Sequence, residues 1–343
     1  MNGETAMRTD PAAAEIPGLV LRPYAGEADL AEIVRIQNAE WEADGVSYRE
    51  TVEEQAAFFA HVSEQFDPAR DVTVAEVDGR MVGHAKREWV DTNDGLREYR
   101  SGGAVDPAWR RRGVGTALMR ETERRNAMLA APQPTDRPRV HGCFNDDRNV
   151  GGRALAEREG YKQARWFFDM QRPGLDRELP EIRALPDGIE VRPLEESQYR
   201  AIWRADIEAF RDHWGGGDES DQAFRRYQDA PDFDPSLWVV AWDGQEVAAA
   251  SINTIYRHEN EELGLKRGWL DSVFTRRPWR KRGLATGLIT RSLHILAERG
   301  IEVAALGVDA DNPSGALRLY ESLGFAVTER ASAWRKPLVE VPT

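Results

Sequence analysis

Apolar residues recur along this chain at two periods. Leu19, Val20 and Leu21 form a short run, and Leu30, Ile33, Val34 and Trp41 then return at the spacing of an amphipathic helix. A second helical stretch covers 52–65. The β-rich runs DVTVAEV and RMVGHAKREWV flank Asp78-Gly79, a dipeptide that marks a tight hairpin. A strand over 99–105, a basic turn, a long helix over 113–129, a strand over 139–144, a short helix over 151–158 and a last strand complete the series. The same series begins again at a strand over 189–192. It runs through a helix over 197–210, a helical stretch at about 219–228 and a hairpin around Asp243-Gly244. A strand over 269–275, a helix over 283–299, a strand over 302–308, a short helix over 314–322 and a closing strand follow. Hairpins and helical crossovers together predict an α+β fold with a mixed sheet.

The order repeats because the sequence repeats. Arg22-Pro23 returns as Arg192-Pro193, AWRRRGVGTALM at 108–119 as PWRKRGLATGLI at 278–289, and EREGY at 157–161 as ESLGF at 321–325. So long a period means two copies of one domain and not a solenoid. The expected organisation is a flexible tail over 1–17, a first domain over 18–172, a proline- and charge-rich linker over 173–187 and a second domain over 188–338.

Composition narrows the function. With 343 residues, 41% of them hydrophobic, each copy can bury a core. A single cysteine, Cys143, excludes a disulfide framework, and the six histidines lack metal-ligand spacing, so no metal is expected. The net charge of -13 speaks against a nucleic-acid partner. No apolar run is long enough for a membrane helix, and the first residues lack the basic and apolar regions of a signal peptide. The expectation is a cytoplasmic chain, monomer or homodimer.

The sharpest chemistry lies between strand and long helix. It reads Arg110-Arg111-Arg112-Gly113-Val114-Gly115 in the first copy and Arg280-Lys281-Arg282-Gly283-Leu284-Ala285 in the second. Glycine permits close backbone approach, and free amides at a helix start, with the helix dipole, welcome a phosphate. Neither a Walker A turn nor a G-x-G-x-x-G turn is present.

These turns, preceded by Val105-Asp106-Pro107 in the first copy and followed by Asn312-Pro313-Ser314 through Tyr320 and Gly324-Phe325 in the second, resemble the GNAT N-acetyltransferases. The resemblance covers both copies. It implies acetyl-CoA as the donor, held at its pyrophosphate by the turn from Arg280 through Thr286. It implies a pantetheine arm paired with the strand Val273, Phe274 and Thr275, and a contact at Asn312. The matching positions of the first copy are Val105, the turn from Arg110 through Thr116, and Asn145. Tyr320 falls where the family places a general acid, and a phenol can protonate a thiolate.

The copies differ there, since aligning EREGY on ESLGF sets Ala156 opposite Tyr320. The second copy is therefore expected to be catalytic, and the first to bind the donor without turnover or to serve as scaffold. A base must take a proton from the acceptor. Asp271, interrupting WLDSVF, is the first candidate, and a strand-end carboxylate bonded to backbone is the plainer reading of it. Asp212, His213 and Trp214 precede three glycines and suggest a mobile aromatic lid over the substrate, although a glycine-stopped helix end reads as well. AFRDHWG also resembles tandem GNAT proteins related to mycothiol synthase, which acetylates the amine of a cysteinyl sugar with its C-terminal copy. The expected activity is acetyl transfer to a primary amine of a small molecule. The alternatives are a mycothiol-synthase-like acetyltransferase of a thiol metabolite and a non-catalytic acyl-CoA-binding module.

Overall fold

A computed structural model describes residues 16–216, 219–312 and 315–339. The expected tail lies outside the described residues up to position 15, as do Gly217, Pro313 and Ser314. The first series of elements is β1 (Leu19–Pro23), α1 (Glu27–Asp44), α2 (Val52–Ala60), α3 (Pro68–Asp71), β2 (Val72–Val77), β3 (Arg80–Asp91), β4 (Arg97–Val105), α4 (Val114–Ala130), β5 (Arg139–Asp146), α5 (Val150–Arg158) and β6 (Lys162–Pro173). The second is β7 (Ile189–Val191), α6 (Tyr199–Phe210), α7 (Asp221–Gln228), β8 (Val239–Asp243), β9 (Glu246–Thr254), α8 (Arg257–Leu263), β10 (Arg267–Thr275), α9 (Leu284–Glu298), β11 (Val303–Asp309), α10 (Ala316–Ser322) and β12 (Ala326–Pro337). The fold is α+β. Helix α8 has no forerunner in the hydrophobic pattern, because RHENEEL is polar almost throughout.

The chain forms two compact units. Unit 1 holds residues up to 91, 95–163 and 334 onward, and unit 2 holds 92–94 and 164–333. In unit 1 the strands run β1-β2-β3-β4-β5, then the end of β12, where Leu338 donates its amide to Arg139 and Trp334 packs with Ala156 and Tyr161. In unit 2, β6 pairs antiparallel with β11, and β11 is followed by β10, β9, β8 and β7. Each copy was expected to close with its own last strand. Instead β6 covers the edge of β11, removing an exposed row of backbone donors and acceptors that could template wrong pairing.

Each sheet is antiparallel except for one parallel pair, β4 with β5 and β10 with β11. Both parallel pairs are short. β10 and β11 pair only from Arg267/Val303 to Trp269/Ala305, although β10 continues to Thr275 and β11 to Asp309. Beyond Trp269 the two strands part. Helix α9 anchors the back of this split: Ile289, Leu293 and Leu296 are fully buried with Leu270 and Leu306, each side chain contributing roughly 1.5–3 kcal/mol. The proline-rich stretch between the copies packs along α9. Arg183 donates its amide to Thr290, Leu185 lies against Gly287 where a Cβ would clash, and Leu175 is buried.

Candidate active site

Each basic turn enters its helix through two left-handed residues. Arg111 and Gly113 have φ of 62° and 95°, and Lys281 and Gly283 have φ of 62° and 83°. A non-glycine residue in this region costs roughly 1–2 kcal/mol. Alternating backbone hands turn successive N–H groups toward one point, an anion-binding concavity. Helices α2, α5 and α7 carry side-chain caps from Thr51, Asn149 and Ser220, whereas Gly113 and Gly283 supply none to α4 and α9. Helices α1, α6, α8 and α10 lack such a cap as well, so the left-handed basic residue is what sets these two starts apart. The glycine was legible in the sequence, but the left-handed basic residue two positions before it was not.

The turns differ in their surroundings. A Cβ on Gly283 would meet open space, whereas one on Gly113 would touch Ile16, and one on Gly115 would touch Leu155. Arg158 donates to the Thr116 hydroxyl. Leu284 is buried, while Ala285 and Thr286 are half-buried at the helix start. The first arginine of each turn is tied to the fold. Arg110 forms a two-pronged pair with Asp44 at 2.6 and 2.8 Å, and Arg280 bonds Asp212 and the Ala209 and Thr275 carbonyls. Arg112 stacks over Trp109, while Lys281 and Arg282 are exposed.

Strand β10 carries the second half of the site. Its register against β9 shifts between Leu270 and Ser272, so Asp271 is an extra residue in a β-bulge. Leu270 and Val273 pack into the cluster around α9, while Phe274 packs into the cluster under α6. The bulge therefore turns two consecutive residues, Asp271 and Ser272, toward the α6–α7 side, where regular alternation would allow one. Asp271 accepts hydrogen bonds from the Tyr256 hydroxyl at 3.2 Å and from Thr254. It is exposed at the surface, and the protein mass around it raises its pKa by desolvation. The Ser272 hydroxyl donates to Asp206 of α6, whose carboxyl is raised to about 6 by burial, with the Ser272 hydrogen bond opposing. Asp206 was missed by the sequence analysis. Its signal was an acid four residues after Ile202, on the apolar face that also holds Ala205 and Ala209.

Tyr320 stands behind the same strand. Its ring is buried among Leu270, Ile289 and Phe325, and burial pushes its hydroxyl up to about 12. No hydrogen bond ties that hydroxyl to a described residue. The core reading and the acid reading of Tyr320 are thus compatible: the ring is core, and the phenol keeps its proton at neutral pH. Asn312 donates its amide to the Asp309 carbonyl at the end of β11.

The loop after α6 is pinned. Asn93, which belongs to unit 2, donates its amide to Gly215 and its side chain to the Phe210 and His213 carbonyls. Trp214 lies against Phe167, and His213 against Phe210. These partners come from a short segment of the first copy's sequence, which the loop's own sequence cannot reveal. Asp212 is exposed and paired with Arg277 and Arg280, which hold its carboxyl well below the usual range.

In unit 1, β4 and β5 likewise part beyond Ser101 and Cys143, but the bulge is missing. β4 pairs with β3 in unbroken register, and Gly102 and Gly103 occupy its middle. A Cβ on Gly103 would run into the His84 carbonyl. Glu40 of α1, pushed up to about 7 by burial, takes the Val105 amide. Asn145 is wedged against Gly152 and Cys143, and Ala156 is fully buried.

The residues of unit 2 fit acetyl-CoA. An uncapped helix start behind a left-handed basic turn suits the pyrophosphate, and the parting of β10 from β11 leaves a strand edge for an extended arm.

Comparison with known proteins agrees. Residues 199–325 match the model of the acetyltransferase (GNAT) family, and residues 68–163 match that of an acetyltransferase (GNAT) domain. A mycothiol acetyltransferase of Geodermatophilus obscurus is 30% identical over 315 residues, covering 90% of this chain and 94% of that protein. One from Thermomonospora curvata is 34% identical over 223 residues, covering 64% of this chain and 68% of that protein. Among solved structures, a GCN5-related N-acetyltransferase from Sphaerobacter thermophilus shares the fold with a TM-score of 0.68 at 24% identity, covering 93% of this chain and 96% of that one. A tandem GNAT protein from the clavulanic acid biosynthesis pathway gives 0.66 at 16%, covering 95% and 99%.

Proposed function

Since the chain belongs to the GNAT acetyltransferases and carries two such domains, we propose that its second copy transfers acetyl to a primary amine of a small molecule, while its first copy serves as scaffold. The chain is an acyltransferase, and acetyl-CoA is its donor. The observation that carries the amine reading is the β10 bulge. It gathers two raised carboxylates, Asp206 and Asp271, on one side of the cleft strand, and the hydrogen-bond partners found for them, Ser272, Tyr256 and Thr254, are all neutral. Such a place favours a cation, and an ammonium supplies one.

Bound acetyl-CoA supplies an acetyl group activated as a thioester. The amides from Lys281 to Thr286 hold its pyrophosphate, and the edge of Val273 to Thr275 orients its arm. The carboxylates at the bulge face the ammonium. Tyr320 holds the proton that its hydroxyl gives to the departing sulfur, as its raised pKa allows. A narrower reading takes the acceptor as the amine of a cysteinyl sugar, favoured by relatives named mycothiol acetyltransferase.

The test is incubation of the full chain with acetyl-CoA and a panel of amines, including N-cysteinyl glucosamine, glucosamine and spermidine, with products identified by mass spectrometry. An N-acetyl product is expected from at least one. Acetylation only at sulfur or oxygen, or donor binding with no product from any, would sink the amine reading.

A further inference from the structure

The two carboxylates at the bulge are not equivalent. Asp271 lies on the strand itself and is engaged by the Tyr256 hydroxyl and by Thr254. Asp206 reaches the strand from α6, and Ser272 is its one hydrogen-bond partner among the described residues. The bulge makes this meeting possible, because without the extra residue Asp271 and Ser272 would project to opposite sides. Tyr227 of α7 feels the charge of both carboxylates and so lies near both. The charged groups around Asp206 are few. Tyr227 faces it, Glu208 two residues further along α6 is taken by Arg276, and among the described residues no basic side chain pairs with it. A carboxylate with two engaged partners is suited to hold a cation. One with a single hydroxyl donor, ionising close to neutrality, is suited to exchange a proton.

We propose that Asp206 is the proton acceptor of the transfer reaction, poised by Ser272, and that Asp271 with Tyr256 anchors the incoming ammonium. This rests on the amine reading above and assigns the base within it. The acceptor nitrogen gives up two protons in all. Asp206 takes one before attack and releases it to solvent. The nitrogen lone pair then forms the N–C bond as the C–S bond breaks. Tyr320 places its proton on sulfur and is refilled by the second proton from nitrogen.

The experiment is the pH dependence of kcat/KM, with N-cysteinyl glucosamine or whichever panel amine turns over fastest as the probe. Wild type is expected to lose activity as pH falls through about 6. Asp206 must be ionised to accept a proton, so its protonation removes the base. Asp206→Asn is expected to lose about 100-fold or more and to lack this acidic limb. Ser272→Ala removes the hydrogen bond that favours the ionised form, so the limb should move to higher pH with the plateau largely retained. That shift is one a purely structural role would not produce. Asp271→Asn should raise KM for the amine and keep the limb. An Asp206→Asn enzyme with the wild-type melting temperature and wild-type limb would overturn the assignment, as would an unmoved limb in Ser272→Ala. Absence of any amine product from wild type would instead overturn the amine reading itself.

Discussion

The two turns are built alike, and the strands that feed them are not. Arg111 and Lys281 share a left-handed backbone, and Arg110 and Arg280 both reach back to an aspartate at or just beyond the end of the first helix, Asp44 and Asp212. Yet β10 is bulged and lined by Asp271 and Ser272, while β4 runs in unbroken register through two glycines. In unit 1, Glu40 takes the Val105 amide, and a Cβ on Gly113 would touch Ile16, where one on Gly283 meets open space. The turn is common to both copies, and one extra strand residue with the side chains it redirects sets the second apart.

The largest effect should come from the phenol. Tyr320→Phe is expected to lower kcat about 100-fold with little change in KM for acetyl-CoA, whereas Tyr161→Phe in the first copy should leave kcat at the wild-type value. Steady-state kinetics of both variants decides, and equal losses would erase the distinction between copies. A smaller effect should come from the turns. Gly283→Val forces a branched side chain into a left-handed backbone and should raise KM for acetyl-CoA about tenfold, while Gly113→Val should not. Calorimetry sharpens this: one equivalent of donor per chain is expected, and two would show that the first turn binds it as well. The smallest effect concerns the arginine clamps. Asp44→Asn breaks a half-buried two-pronged pair and should lower stability by about 1 kcal/mol, seen as a drop of a few degrees in melting temperature. Asp212→Asn, on the exposed counterpart, should leave the melting temperature unchanged.

Much of this was legible in the chain because it is written locally. A strand, a basic glycine turn and a helix follow one another without interruption from Arg267 to Glu298 and from Arg97 to Ala130, and Asp-Gly marks each hairpin. Tyr320 and Asp271 were read from their own neighbourhoods. Asp206 was not, because its importance depends on Ser272, 66 residues away, and on a bulge that shifts register without any glycine or proline to announce it. The pinned loop escaped for a similar reason, since Asn93 lies 117 residues from Phe210. The exchange of last strands escaped because β6 and β12 read as equivalent closing strands, and hydrophobic pattern cannot say which edge each will cover.

That exchange has a practical side. Cleaving or splitting the polypeptide between residues 174 and 187 would yield no autonomous half: the front fragment would carry β6 with nothing to lie beside, and the rear fragment would expose the flank of β11. Two such fragments should be insoluble alone and recover only when mixed, so neither copy can be removed by truncation.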